Sequence, residues 1–186
     1  GAGKIPLVFL TAAAGSEKVF ISARTSPAPE DEFFALELAD NMLNGIELNL
    51  LLLNDPSAPR FNTDVDEQGN PTMFGTLKRN LDEETRAKEA GLAPGQVRNS
   101  LSASRLVLDQ VDAFLATMGH QAYFLEPLTY ASAWVFEKRG FAYVRGHKLM
   151  DDIQREFQEG GLLYNKLDSS SPFRQPGQSN TVLGRA

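Results

Sequence analysis

The sequence contains no cysteine and only two histidines, His120 and His147, among its 186 residues. Without cysteine there are no disulfide bonds, no cysteine nucleophile and no zinc site with thiolate ligands. Two histidines are also too few for a histidine-rich metal site within one chain, so we expect no bound metal. A chain without cysteine suits a reducing compartment, and we predict a cytoplasmic protein.

Basic residues are also scarce. The chain has 18 lysines and arginines against 24 acidic residues, which gives a net charge of −6, and its basic residues form no cluster. Because a nucleic-acid-binding domain usually carries a basic patch, we expect no nucleic-acid partner. No apolar run approaches the roughly 20 residues of a membrane-spanning helix, so we expect no membrane partner either. A hydrophobic share of 42% and a charged share of 23% are typical of a globular domain.

Hydrophobic patterns in the first half predict mainly strands. Three strands are expected, at residues 5–10, 18–22 and 46–53. A helix is predicted where three acids at positions 30–32 precede an apolar stripe, and the main members of this stripe are Phe34, Leu38 and Met42. Two further strands, expected to pair as a hairpin, are predicted at residues 61–65 and 72–77.

The second half alternates helices with strands. Asn80, followed three residues later by Glu83, predicts a capped helix up to residue 90. The most regular stripe predicts a helix over residues 101–118, with its apolar face formed by Leu101, Leu108, Val111, Leu115 and Met118. The later elements are predicted as strands at residues 121–125, 141–144 and 162–167 and helices at residues 130–139 and 147–158.

This alternation predicts an α/β fold with a mixed central β-sheet flanked by helices, in a single domain over residues 1–167. Residues 168–186 are rich in serine, proline, glutamine and glycine, which predicts an extended C-terminal tail. The tail has few apolar residues of its own with which to offset its ordering entropy. We therefore expect it to lie on another surface, either on its own domain or on a second chain in a homodimer, with Phe173, Val182 and Leu183 as anchors.

A loop that carries glycine, serine and asparagine leads directly into the helix predicted from residue 101. The start of a helix presents backbone N–H groups and the positive end of the helix dipole, an arrangement that suits a phosphate group. Arg98 lies in this loop and can add a charge-assisted contact. Every helix has such a start, however, and a solvated surface arginine is the plainer interpretation of Arg98.

Two segments resemble the motifs of GNAT-type N-acyltransferases. Residues 136–141, Phe-Glu-Lys-Arg-Gly-Phe, match the family's Y-E-K-x-G-F-like segment at every position except the tyrosine. Residues 98–103, Arg-Asn-Ser-Leu-Ser-Ala, resemble the R/Q-x-x-G-x-G/A motif, whose backbone amides hold the pyrophosphate of coenzyme A. The resemblance covers roughly residues 92–167. It implies a GNAT-like fold and transfer of an acyl group from acetyl-CoA or another acyl-CoA, as co-substrate, to an amine of a small molecule or peptide.

The same resemblance implies a set of residues that contact the acyl-CoA, namely Arg98, Asn99, Ser100, Leu101, Ser102, Ala103, Trp134 and Phe136. Leu101 stands where the family has the first glycine of its motif, and its Cβ limits the approach of a pyrophosphate. Phe136 stands in place of the tyrosine that protonates the departing thiolate. Core packing is the plainer interpretation of Trp134 and Phe136.

Three residues are candidates for the acid–base chemistry. Tyr130 and Tyr143 flank the missing tyrosine and can replace it as proton donor, with Tyr143 the preferred candidate. Glu126 follows a predicted strand and can serve as general base. The plainer interpretation is a structural role for the two tyrosines and, for Glu126, an acid at the end of a strand that faces water. In the alternative reading of the function, the chain is a non-catalytic GNAT-like interaction module that has lost its coenzyme A chemistry.

Overall fold

The computed structural model describes residues 7–26, 32–73, 77–170 and 174–178. They form an α/β structure with one five-stranded mixed sheet in the order β1-β2-β3-β4-β5. The strands are β1 (Val8–Thr11), β2 (Lys18–Ala23), β3 (Phe34–Asp40), β4 (Ile46–Leu53) and β5 (Tyr123–Leu125). The α-helices of the described residues are α1 (Leu81–Glu89), α2 (Ser104–Thr117), α3 (Tyr130–Lys138) and α4 (His147–Glu156).

The chain divides into two compact units. The first unit comprises residues 1–59 and 99–126 and therefore contains the whole sheet and α2. The second unit comprises residues 60–98 and 127–186 and contains α1, α3 and α4. No helix in the described part of the chain is long and apolar enough to cross a membrane.

Strands β1 to β4 form an antiparallel meander, and β5 joins β4 in parallel. β3 and β4 lie inside the sheet and supply much of its buried surface, including Leu36, Leu38, Ile46, Leu48 and Leu53. α2 buries Leu108, Val111 and Leu115, the central residues of the predicted stripe. The core of the first unit is therefore built from leucine-rich strands and one amphipathic helix.

The helix predicted after residues 30–32 is wrong, because Phe34–Asp40 form strand β3. A spacing of four residues also returns to the same face of a strand, so Phe34 and Leu38 suit either structure. Ala35, Leu36, Leu38 and Ala39 are buried and alternate between the two faces, as expected for a strand inside a sheet. Glu32 forms an ion pair with Arg24 (2.7 Å), and positions 30 and 31 lie outside the described residues.

The two strands predicted at residues 61–65 and 72–77 are not formed in the described residues, although the chain does reverse between them, since the Thr72 N–H donates to the Asp64 carbonyl (2.8 Å). The described part of this segment contains only an isolated bridge between Val65 and Pro71, and residues 74–76 lie outside the description. Side-chain bonds add to the few backbone bonds of this turn. The buried Asp66 carboxylate accepts bonds from the backbone N–H groups of Gln68 (3.0 Å) and Asn70 (2.8 Å) and forms an ion pair with Lys78 (2.8 Å).

The strands predicted at residues 141–144 and 162–167 are not formed, because local turns use their backbone groups. The Phe141 N–H donates to the Phe136 carbonyl (3.2 Å) and ends α3. Residues Tyr164–Lys166 form a 3₁₀ turn, and the Leu167 N–H donates to the Tyr164 carbonyl (3.1 Å). Every strand in the described residues belongs to the first unit, so neither segment joins the sheet.

The predicted helices of the second half are confirmed with shifted ends. Asn80 caps α1 by accepting the Glu83 N–H (3.3 Å), as its position predicted. α3 begins with a reciprocal capping box between Thr129 and Ser132. α2 begins three residues later than predicted, at Ser104, because the Leu101 N–H donates to the Leu53 carbonyl (3.2 Å) instead of joining the helix. α4 buries none of its residues fully.

The expected anchors of the C-terminal tail lie outside the described residues, so the host of the tail stays a prediction. Nearer residues are held locally, since Arg174 forms an ion pair with Asp168 (2.8 Å). Hydrogen bonds from Ser170 and this pair with Arg174 lower the pKa of Asp168 to about 2.

Candidate functional site

Strands β4 and β5 pair over a short distance and then part. Ile46, Glu47 and Leu48 of β4 pair with the three residues of β5, and the last of these pairs joins Leu48 to Leu125. β5 ends there, whereas β4 continues to Leu53. From Asn49 onwards, β5 therefore no longer covers this edge of β4.

A bulge interrupts β4 where the two strands part. Leu50 pairs with Glu37 of β3 and Leu48 pairs with Leu38, so Asn49 is an extra residue in β4. The Asn49 side chain donates to the Glu37 carboxylate (3.1 Å). This bond and the nearby Lys18 ammonium (3.3 Å) lower the pKa of Glu37. Bulges redirect backbone groups and are common near active sites, so this one marks a candidate site.

The far end of the β4 edge is covered by the segment that precedes α2. The Leu101 N–H donates to the Leu53 carbonyl (3.2 Å), and the Asp55 N–H donates to the Asn99 carbonyl (2.8 Å). Between them, Asn54 and Ser100 form an antiparallel bridge. Within the described residues, no strand pairs with residues 49–52 on this side of β4. The result is an open length of strand edge, bounded by β5 at one end and by residues 99–101 at the other.

The start of α2 adjoins this segment in the chain. Ala103 is the N-cap residue and makes no side-chain capping bond, and the first turn contains no acidic residue. The helical ladder begins with the Val107 N–H, which donates to the Ala103 carbonyl (3.0 Å). A helix start without a carboxylate keeps the positive end of its dipole uncompensated. The first unit thus combines an open strand edge, a bulge and a helix start that suits an anion.

The predicted acyl-CoA residues divide between the two units. Asn99, Ser100, Leu101, Ser102 and Ala103 belong to the first unit, whereas Arg98 belongs to the second. The Leu101 N–H is already donated to Leu53, so it cannot bind a phosphate at the same time. The neighbouring Ala103 N–H donates to the Leu101 carbonyl (2.7 Å). Phosphate donors in this loop must therefore come from the other N–H groups at the start of α2.

Glu126 lies beside the bulge in the strand register. It follows Leu125 directly, just as Asn49 follows Leu48, and Leu48 and Leu125 are paired. Its side chain is exposed. A carboxylate at this position is exposed to solvent at the end of the open edge, which suits a group that removes a proton from an incoming substrate.

The other predicted site residues lie in the second unit. The Tyr143 hydroxyl donates to Glu137 (3.2 Å), and its ring lies 5.0 Å from the His147 ring. Burial and then this hydrogen bond raise the pKa of Tyr143, so the hydroxyl keeps its proton at neutral pH. Trp134 is partly exposed, with the Lys138 ammonium 5.5 Å from its ring centroid, so it is not the core residue that was expected.

Phe136 packs its ring edge-on against Phe141, with 5.3 Å between the ring centroids. This contact spans Gly140, which has φ of 96° and so adopts a left-handed conformation that other residues rarely take. The Phe-Glu-Lys-Arg-Gly-Phe segment is therefore a well-formed end of α3. Its aromatic residues stabilise this turn, whatever other role they have.

Two notable residues of the first unit escaped the sequence-based predictions. Asn49 gives a local signal, since it interrupts a run of leucines, but a polar residue there does not by itself predict a bulge. Tyr123 on β5 donates a hydrogen bond to Asp112 of α2, and burial followed by this carboxylate raises the pKa of Tyr123. No pattern in the sequence joins positions 112 and 123.

In the described residues, no group of three or more histidine or acidic side chains is placed to hold a metal ion. The structure defines the chain as an α/β protein with a five-stranded mixed sheet. No family model matches the sequence, and no curated protein and no solved structure matches the chain.

Proposed function

We propose that the first unit is a GNAT-like acyl-CoA-dependent N-acyltransferase, which transfers an acyl group to an amine of a small molecule or peptide. The observation that carries this function is the open edge of β4 at residues 49–52, between the end of β5 and the segment that leads into α2. An open strand edge offers backbone donors and acceptors to an extended ligand. The order of loop, α2, β5 and α3 along the chain supports part of the resemblance drawn from the sequence, whereas the strands that the resemblance places at residues 141–144 and 162–167 are not formed.

Acyl-CoA as co-substrate fits the residues present in two respects. The start of α2 provides backbone N–H groups without a nearby acid in the same turn, which suits the pyrophosphate. The open β4 edge suits the extended arm that joins the pyrophosphate to the thioester. Because the Cβ of Leu101 limits how closely the pyrophosphate can approach the backbone, we expect weaker binding than a glycine at this position would allow.

The reaction requires the amine nitrogen to attack the thioester carbonyl carbon, after which the C–S bond breaks and the thiolate leaves. A backbone N–H on β4 within residues 49–52 polarises the thioester carbonyl. Glu126 accepts the proton that the amine loses, directly or through one water molecule. Holding both reactants in line supplies the largest share of the rate, since proximity can remove roughly 7–11 kcal/mol of barrier.

A non-catalytic interaction module is the second candidate, and the Leu101 contact favours it. Where the family's motif directs backbone N–H groups at the pyrophosphate, this chain directs the Leu101 N–H at its own β4. A module of this kind uses the same open edge to hold a partner's extended segment, with no thioester and no transfer.

Calorimetric titration with acetyl-CoA tests the first candidate, with a pair of variants that differ only in charge. Ala103→Asp places a carboxylate at the N-cap of α2, and Ala103→Asn places a neutral side chain of the same size there. A carboxylate about 5 Å from a doubly charged pyrophosphate in water costs more than 1 kcal/mol, so Ala103→Asp is expected to weaken binding about tenfold. Ala103→Asn is expected to bind like the wild type.

A third variant, Leu101→Gly, is expected to tighten binding, despite a cost to folding of up to about 1 kcal/mol. If neither the wild type nor Leu101→Gly binds acetyl-CoA at millimolar concentration, the acyl-CoA function is wrong and the interaction module is left. Binding that Ala103→Asp and Ala103→Asn weaken equally contradicts the location at the start of α2.

A further inference from the structure

The outer edge of β1 presents backbone groups and apolar side chains to solvent. β1 is the first strand of the sheet and pairs only with β2 among the described residues. The Arg24 N–H donates to the Leu7 carbonyl (2.9 Å), so Leu7 is one of the residues that bond to the neighbouring strand. In an antiparallel ladder, alternate residues bond to the neighbouring strand, so Phe9 bonds to β2 whereas Val8 and Leu10 direct their N–H and C=O groups outwards.

The side chains along this edge are unusually apolar for a terminal strand. Val8 is 65% exposed and Leu10 is 69% exposed, both on one face of the sheet. Phe9 lies on the other face, with the Arg24 guanidinium 5.5 Å from its ring centroid. Edge strands are normally protected by being very short or by a charged residue, a proline or a bulge, and β1 has only the first of these, with four residues. The four residues of β1 include no charged residue and no proline, and their register with β2 is uninterrupted.

We propose that β1 pairs antiparallel with β1 of a second copy of the chain, on a two-fold axis that passes through Phe9. The outward-facing Val8 and Leu10 flank Phe9 symmetrically, so Val8 of each copy lies opposite Leu10 of the other. Each of these two pairs exchanges two backbone hydrogen bonds. The two Phe9 side chains then lie directly opposite each other on one face, at a position where Cα atoms of paired strands approach to about 4.5 Å.

A second copy fits this edge because the arrangement of its groups is self-complementary. Two-fold contacts require that the same surface on both subunits match itself, and the Val8-Phe9-Leu10 order meets this condition for the backbone and for the side chains. Each copy carries a net charge of −6, but β1 has no charged side chain to repel its equivalent at the contact. Because each strand is short, the area is small, and the dimer is expected to dissociate in the micromolar range or above.

Sedimentation over a concentration series tests the contact. The wild type is expected to pass from monomer to dimer as its concentration rises to a few hundred micromolar. Leu10→Lys places a charge on the edge and is expected to weaken the dimer at least tenfold. Leu106→Lys is the matched control, since Leu106 is also exposed, at 64%, but lies on α2. A wild type that stays monomeric throughout overturns the proposal, as does a dimer that both lysine variants leave unchanged.

Because the chain has no cysteine, disulfide cross-linking provides a second test. It reports directly which residues of the two β1 strands lie opposite each other, and it does not depend on how Leu10→Lys folds. Phe9→Cys introduces the chain's only thiol on the proposed axis, where the Cα separation permits a disulfide. Mild oxidation is expected to cross-link Phe9→Cys rapidly. Val8→Cys, displaced from the axis, and Leu43→Cys, in the exposed turn between β3 and β4, are expected to cross-link slowly.

Equal rates for Phe9→Cys and Leu43→Cys overturn the two-fold pairing. The C-terminal tail is the other occupant to be tested. A dimer that is lost when residues 179–186 are deleted, and that Leu10→Lys does not affect, assigns the contact to the tail and also overturns the proposal.

Discussion

Leu115 gives the sharpest test of how the first unit is held together. It lies near the end of α2, and its side chain is only 2% exposed. Leu115→Ala removes three carbon atoms from a packed site and leaves a cavity that the surrounding residues fill only in part. Substitutions of this kind cost about 2–5 kcal/mol, and the near-complete burial of Leu115 places it in the upper half of that range.

Leu106→Ala is the matched control, because the same atoms are removed from the same helix at an exposed position. Little transfer free energy is lost there and alanine favours helix, so a change of at most about 0.5 kcal/mol is expected. Urea unfolding followed by far-UV circular dichroism measures both values. The only tryptophan, Trp134, lies in the second unit, so its fluorescence does not report directly on α2. A loss below about 1 kcal/mol for Leu115→Ala, or equal losses for both variants, refutes this packing.

Three other substitutions test local parts of the structure. Asn80→Ala removes both the cap of α1 and the bonds to the carbonyls of Asn62 (3.3 Å) and Val65 (3.1 Å), so urea unfolding is expected to show a loss of about 1–3 kcal/mol. Lys78 and then the N–H of Asn70 depress the pKa of Asp66 in the folded state. The unfolded chain therefore takes up the proton first as the pH falls below about 4, and the wild type loses stability there. The urea midpoint is expected to fall less between about pH 5 and pH 3 in Asp66→Asn than in the wild type. An equal fall in the two proteins contradicts this assignment. Glu126→Gln is expected to lower the turnover of acetyl-CoA with an amine by about 10²–10⁴-fold while acetyl-CoA binding persists, and full turnover in this variant excludes Glu126 as the base.

The elements that could be predicted from the sequence are those in which one local pattern has one explanation. The stripe through Leu108, Val111 and Leu115 has a period that only a helix matches, and α2 buries those residues. The segment around Phe34 and Leu38 failed because a spacing of four residues suits both a helix face and a strand face. What decides between them is that β3 lies between β2 and β4, and this neighbourhood is not visible in a local window.

The candidate site could be predicted only in part, because it is made of pieces that lie far apart in the chain. The loop before α2 was recognised from its residue types, and Glu126 from its place after a strand. The bulge at Asn49 and the divergence of β4 from β5 depend on how residues 46–53 meet residues 123–125, more than 70 positions later. No periodicity or short motif carries information about that meeting.

The contact between Leu101 and Leu53 shows why a motif alone does not define this site. Residues 98–103 have the order of a phosphate-binding loop, yet the backbone N–H at the position of the family's first glycine is directed at β4. That bond closes the far end of the open β4 edge and also delays the start of α2 to Ser104. The same leucine therefore shapes the proposed acyl-CoA site while it removes one of the donors on which such a site depends. Leu101→Gly separates these two effects, since the backbone bond to Leu53 can persist without the side chain. If acetyl-CoA binding tightens, the side chain was the obstacle; if it does not, the obstacle is the bond to Leu53 and the edge is better suited to a peptide than to coenzyme A.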